Sequence, residues 1–111
     1  MALVTVLACA WSAGCWHEEQ PSLLVGRDRV TVINRTDTRW VNVDVWLNDH
    51  YRAQASELLP GQRLDAPFRL FIAGFGQRFD PGRQVPSGIS VEARTADGHP
   101  VLLTWGRGRR R

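Results

Sequence analysis

Few residues in this chain have the type and spacing that chemistry demands. His17, His50 and His99 are widely separated. Asp49 precedes His50, and Asp97-Gly98 precedes His99, so each pair puts a carboxylate and an imidazole in a turn. A metal centre needs several ligands at fixed geometry, and these pairs could cooperate only if the two turns met at one end of the fold. His17-Glu18-Glu19 stands beside no apolar scaffold. A nucleophilic serine needs an adjacent base and an oriented third group. Ser56, Ser87 and Ser90 sit in turn or strand contexts, and no G-x-S-x-G occurs. Gly74-x-Gly76 lacks the Lys and following helix of a phosphate loop. These residues read as a chain that is not an enzyme, holds no metal and uses no cofactor.

The better candidate is a binding face. In Trp40 to Asn48 (WVNVDVWLN), Val41, Val43, Val45 and Leu47 fall on one side, and Trp40, Asn42, Asp44, Trp46 and Asn48 on the other. Two indole rings flanking an amide and a carboxylate suit a sugar or an extended peptide. On one strand the α-carbons of Trp40 and Trp46 would stand ~20 Å apart. The same pattern also fits rings that cover their neighbours at a sheet edge, and at least one Trp is expected to be structural.

Strict alternation with β-branched residues marks a half-buried antiparallel strand. Arg29 to Asn34, Leu64 to Phe68, Gly88 to Thr95 and Pro100 to Trp105 carry weaker versions. Asn48-Asp49 reads as a two-residue hairpin turn and Asp97-Gly98 as another. Leu58-Leu59-Pro60-Gly61 places Pro and Gly where a turn with positive φ needs them. Pro67 marks an edge or a break. Phe75 and Phe79, in the loop from Gly74 to Gln84, are expected to fold back as plugs. Asn34-Arg35-Thr36 fits a glycosylation sequon but is better explained as turn chemistry. The longest helix candidate, Ala53 to Leu59, is too short to stand alone. About six to seven short strands with frequent turns indicate an all-β fold, a small antiparallel β-sandwich.

Met1 to Gly14 (MALVTVLACAWSAG) holds no charge and is mostly apolar. It is too short for a bilayer-spanning helix, which needs ~20 residues, and it suits the apolar part of an export signal. Ser12, Ala13 and Gly14 precede Cys15. The segment resembles a bacterial lipoprotein signal, whose lipobox ends in a cysteine that becomes the lipidated N-terminus; Ser12 stands where that family usually has Leu. Ala8-Cys9-Ala10 also fits an ordinary signal-peptidase site. The resemblance implies an envelope protein, lipid-anchored at Cys15 or periplasmic.

The organisation that follows is a signal over 1–14, a tether over 15–27, a sandwich over 28–106 and an Arg-rich tail over 107–111. Cys9 and Cys15 both precede the domain, so its stability rests on burial alone. The formal charge is +3, yet four of the fourteen basic residues, all Arg, lie among the last five residues. Without them ten basic residues (14 less 4) face eleven acidic ones. The body carries no basic face of the nucleic-acid-binding kind. The tail could attract polyanions or lie free in solvent.

The run Val30–Ile33, Asn34, Thr36–Arg39, Val41–Leu47 and Leu58–Gly61 resembles small immunoglobulin-like domains of bacterial envelope proteins. That likeness covers residues 29 to 65. It implies a structural or interaction module whose partners are the membrane, through the lipid, and another envelope protein or a glycan.

Overall fold

The computed structural model describes residues 21–107. The signal segment 1–14, Cys15, the tether residues 16–20 with His17, and tail residues 108–111 lie outside the described residues. β1 (Leu23–Val25) pairs with β2 (Arg29–Ile33), which pairs with β5 (Arg63–Pro67), giving a three-stranded antiparallel sheet. The second sheet has five antiparallel strands. Its spatial order is β6 (Ile72–Ala73), β4 (Tyr51–Leu58), β3 (Trp40–Leu47), β7 (Gly88–Thr95) and β8 (Pro100–Gly106).

The two sheets form an all-β sandwich, as the alternation indicated. β1-β2-β5 opposite β4-β3-β7-β8 follows the strand order of immunoglobulin-like sandwiches. Inward-facing Val30 and Val32 from one sheet meet Val43, Val45, Leu47, Ile89 and Val91 from the other. At one end of the sandwich Phe68, Phe71 and Phe79 are fully buried. Phe79 meets Tyr51 edge-on, with ring centroids 5.3 Å apart. Phe79 is thus the plug its loop position suggested. Phe75 is not, at 80% exposure.

Turn chemistry sets the connections. Gln62 N–H donates to Leu59 C=O (2.9 Å) across Pro60-Gly61, and Gly61 takes φ +81°. Asn48 and Asp49 adopt φ of 51° and 64°. Leu47 pairs with Tyr51, so the hairpin loop has three residues, Asn48 to His50, rather than two. At the other end Gly98, at φ +95°, closes the loop between β7 and β8. Asn34 is fully buried, and its amide joins three segments. It donates to Thr38 C=O and Leu58 C=O, both at 2.8 Å, and accepts from Thr36 N–H and the Thr36 hydroxyl. The sequon is therefore turn chemistry, with the amide turned into the fold.

The boundary of the tether needs correction. Leu23–Val25, assigned to the tether, is a strand, so the sandwich begins before residue 28. The strand is only three residues long, and its half-buried Leu23 and Val25 give too short an alternation to stand out beside the polar tether. After β5, Phe68–Leu70 coils into a single 3₁₀ turn, and the strand that follows, Ile72–Ala73, has only two residues. A larger correction, within β3, concerns the candidate face.

Candidate functional site

The outer face of β3 does not carry the four candidate residues together. Trp40 is 2% exposed and belongs to the core. The register between β3 and β7 slips between Val41 and Asp44, and Asn42 takes φ 52° at that point. The extra residue of a β-bulge reverses the facing of everything before it. Trp40 therefore turns inward while Val43, Val45 and Leu47 keep the core side, and Asn42 is left exposed at the bulge. Period-two alternation cannot register such an insertion.

Asp44 and Trp46 do face outward, half-buried. The Arg52 guanidinium lies 5.3 Å from the centre of the Trp46 ring, a cation–π distance. Arg52 Nη1 also stands 4.0 Å from Asp44 Oδ1, which accepts a hydrogen bond from Gln54 Nε2 at 2.9 Å. This cluster spends its aromatic face and its carboxylate on neighbours of the same sheet. A sugar ring stacking on Trp46 would first have to displace Arg52.

The histidine turns sit at opposite ends. Leu47 pairs with Ile89 near the Asn48–His50 loop, and Trp40 pairs with Thr95 near the Asp97–His99 turn. The seven residue steps of β3 between them span about 23 Å. Among the described residues no group of three His, Cys, Asp or Glu stands close enough to hold a metal ion. Asp97 is occupied locally: the Thr95 hydroxyl and then His99 hold its carboxyl below the usual carboxylate range. Asn48 is likewise structural. Its Oδ1 accepts from Ser87 N–H (2.7 Å) and Gly88 N–H (3.2 Å), and its Nδ2 donates to Val85 C=O (3.0 Å). Arg107, the first residue of the tail, donates its N–H to Ser87 C=O at this same end. Pro21 C=O accepts from Arg35 Nε (2.9 Å) at the Asn34 end, so tether and tail join the sandwich at opposite ends.

A different surface has the form of a site. Between β5 and the β4–β6 edge runs a groove of about 710 Å³. Leu64 and Ala66 come from one sheet, and Ala53, Ile72 and Ala73 from the other. The groove exists because Ala53, Ala66 and Ala73 are too small to fill the gap between the sheets at that side. Leu70 and Ile72 on its rim are 49% and 41% exposed, and Phe75 lines the adjoining hollow with Asp49 and His50. β6 covers β4 only at Tyr51 and Arg52. Among the described residues, the far side of β4 has no strand partner from Ala53 to Leu58, and β5 pairs only with β2. Two open strand edges therefore flank one groove with an apolar rim. Arg52 and Asp65 supply charge of both signs along it. On Asp65, the Thr31 hydroxyl (2.6 Å) and then Arg63 hold the carboxyl below its usual range.

Sequence reasoning missed this groove because it joins residues distant in the chain. Its trace was the repeated alanine at strand positions 53, 55, 66 and 73, where larger apolar residues would close a core. Comparison with protein families, with curated proteins and with solved structures found no match. The functional reading accordingly rests on geometry.

Proposed function

We propose that this chain is an exported, lipid-anchored interaction module of the bacterial cell envelope, and that it receives an extended segment of a partner protein in the groove between β4 and β5. The observation that carries this reading is the pair of strand edges, without a partner among the described residues, that flank a groove with exposed Leu70 and Ile72 on its rim. Strand addition satisfies both needs at once. Main-chain hydrogen bonds to β4 supply affinity, and alternate side chains of the incoming segment enter the apolar groove. Exposed apolar residues gathered on one rim mark an interaction surface more strongly than scattered ones.

The outer face of β3 is the competing surface for a peptide or glycan. Trp40 lies in the core and Arg52 covers Trp46, so it offers no open aromatic platform.

The test is affinity capture of the chain from its own envelope, with mass spectrometry of what accompanies it. Ile72→Glu should lose the specific companion, and Glu92→Ala, opposite Asp44 on the outer face and away from the groove, should keep it. The reverse pattern would transfer function to the outer face of β3. Anchoring has a separate readout. Cys15→Ser should abolish labelling by a fatty-acid analogue, and equal labelling of both chains would remove the lipid from the proposal.

A further inference from the structure

Among the described residues the two sheets expose four edges, and they differ in how they discourage pairing. β1 has three residues and β6 two. β5 carries Arg63, Asp65 and Pro67. Short strands, charges and proline are the usual means of blunting an edge. β8 is seven residues long, reads Pro-Val-Leu-Leu-Thr-Trp-Gly and holds no charge. Leu102 is 51% exposed on its outer face and Trp105 is 40% exposed.

The backbone of β8 is also set up for a further strand. Thr95 N–H donates to His99 C=O (2.8 Å), and Arg107 N–H donates to Ser87 C=O (2.9 Å). In an antiparallel ladder the bonded residues alternate. Val101, Leu103 and Trp105 therefore spend their N–H and C=O groups on β7, while Leu102 and Thr104 direct theirs outward.

We propose that β8 pairs with β8 of a second copy of this chain about a two-fold axis at Leu103, joining two five-stranded sheets into one. This goes beyond the groove reading and does not depend on it. With Leu103 at the centre of the seven residues, the outward groups of Leu102 meet those of Thr104 in the other copy. Leu103 faces its own counterpart, and Val101 faces Trp105. A two-fold contact must be self-complementary, and an uncharged strand meets that condition without like-charge repulsion. Beyond the strand, Arg107 of one copy passes His99 and approaches Asp97 of the other. The Asp97 side chain is 65% exposed, so the charges complement each other at both ends. The axis runs through the joined sheet. Both three-stranded sheets then lie on one side, and the pairing is compatible with two chains anchored in one membrane.

A single pair of edges buries less than the ~1,200 Å² of a standard interface, so a micromolar dissociation constant is expected. Sedimentation of the full chain from about 1 to about 500 μM should show a monomer–dimer equilibrium, since 1 μM corresponds to about −8 kcal/mol. Thr104→Pro removes an N–H that β7 does not use. It should raise the dissociation constant roughly a hundredfold, because each dimer loses two hydrogen bonds and gains two clashes. Leu102→Lys should act in the same direction without touching the backbone. Register has its own probe. In a chain carrying Cys9→Ser and Cys15→Ser, Leu103→Cys should form a disulfide-linked dimer under mild oxidation, because facing residues bring their α-carbons within ~5.5 Å. Ser56→Cys, on β4, should not. A chain that stays monomeric throughout this range and gives no Leu103→Cys dimer overturns the proposal. So does a monomer that Thr104→Pro destabilises, since that would place a segment of the same chain on this edge.

Discussion

The two open sides of the sandwich solve the edge problem in opposite ways. On the β4–β5 side the exposed edge of β4 borders a groove between the sheets, beneath a rim of Leu70 and Ile72. Arg63, Asp65 and Pro67 guard the facing strand. In the proposed reading this side receives a single flexible segment. On the opposite side β8 is a full-length, uncharged outer strand with Leu102 and Trp105 exposed. A rigid sheet edge can dock against it. The difference teaches that openness alone does not define a binding surface. Recess, charge and proline decide which kind of strand an edge will accept.

The comparison presumes one shared interior, and the largest effect should come from breaking that interior. Val43→Asp should unfold both sides together, because an unpaired carboxylate buried at 0% exposure costs several kcal/mol. Asp44→Ala should change stability by about 0.5 kcal/mol or less. Urea melts of the two variants check the strand register directly, and reversed effects would mean that Asp44 rather than Val43 faces inward.

Next in size are the tryptophans. Trp40→Ala should cost ~3–5 kcal/mol, since it empties a core site. Trp46→Ala removes a half-buried ring covered by Arg52 and should cost ~1 kcal/mol. Trp40 lies in the core away from the groove, whereas Trp46 borders it beside Arg52. Thermal melts that rank them in the opposite order would restore the outer face of β3 as a rigid element.

A smaller effect sharpens the contrast between the sides. Ala53→Leu adds methylenes inside the groove and should raise stability by about 1 kcal/mol. The same change should remove the partner captured through the groove while leaving sedimentation unchanged. A loss of dimer in Ala53→Leu would show that the two sides are coupled.

The smallest effect concerns acid. The folded Asp65 carboxyl lies below its ordinary value of 3.8, chiefly through the Thr31 hydroxyl. A depressed carboxylate contributes stability that is full above the ordinary value and lost as pH falls through the folded one. Thr31→Val removes that hydroxyl. The stability difference between wild type and Thr31→Val should therefore be constant at neutral pH and shrink below about pH 3.8. A difference that grows with acid would contradict the assigned hydrogen bond.

The sandwich was legible because Val43, Val45 and Leu47 alternate cleanly and the Gly61 and Gly98 turns carry the required residues. Val43 faces in and Asp44 out, as alternation alone requires. Trp40 was misplaced because a single residue inserted at Asn42 reverses facing without changing composition. β1 was hidden by its three-residue length. The groove left only its alanines as a trace, because Ala53 and Ala66 acquire meaning only when the crossing of β4 to β5 brings them opposite each other. The uncharged run of β8 was plain in the sequence. Its status as an outer strand came from the strand order.

The most direct measurement is site-specific photo-cross-linking in the native envelope, with the reactive residue placed at Leu70 on the groove rim or at Glu92 on the outer face of the β3 sheet. Leu70 should yield one discrete adduct with a second protein, and the adduct should vanish when Ala53→Leu fills the groove. An adduct from Glu92, with none from Leu70, would contradict the groove as the docking site.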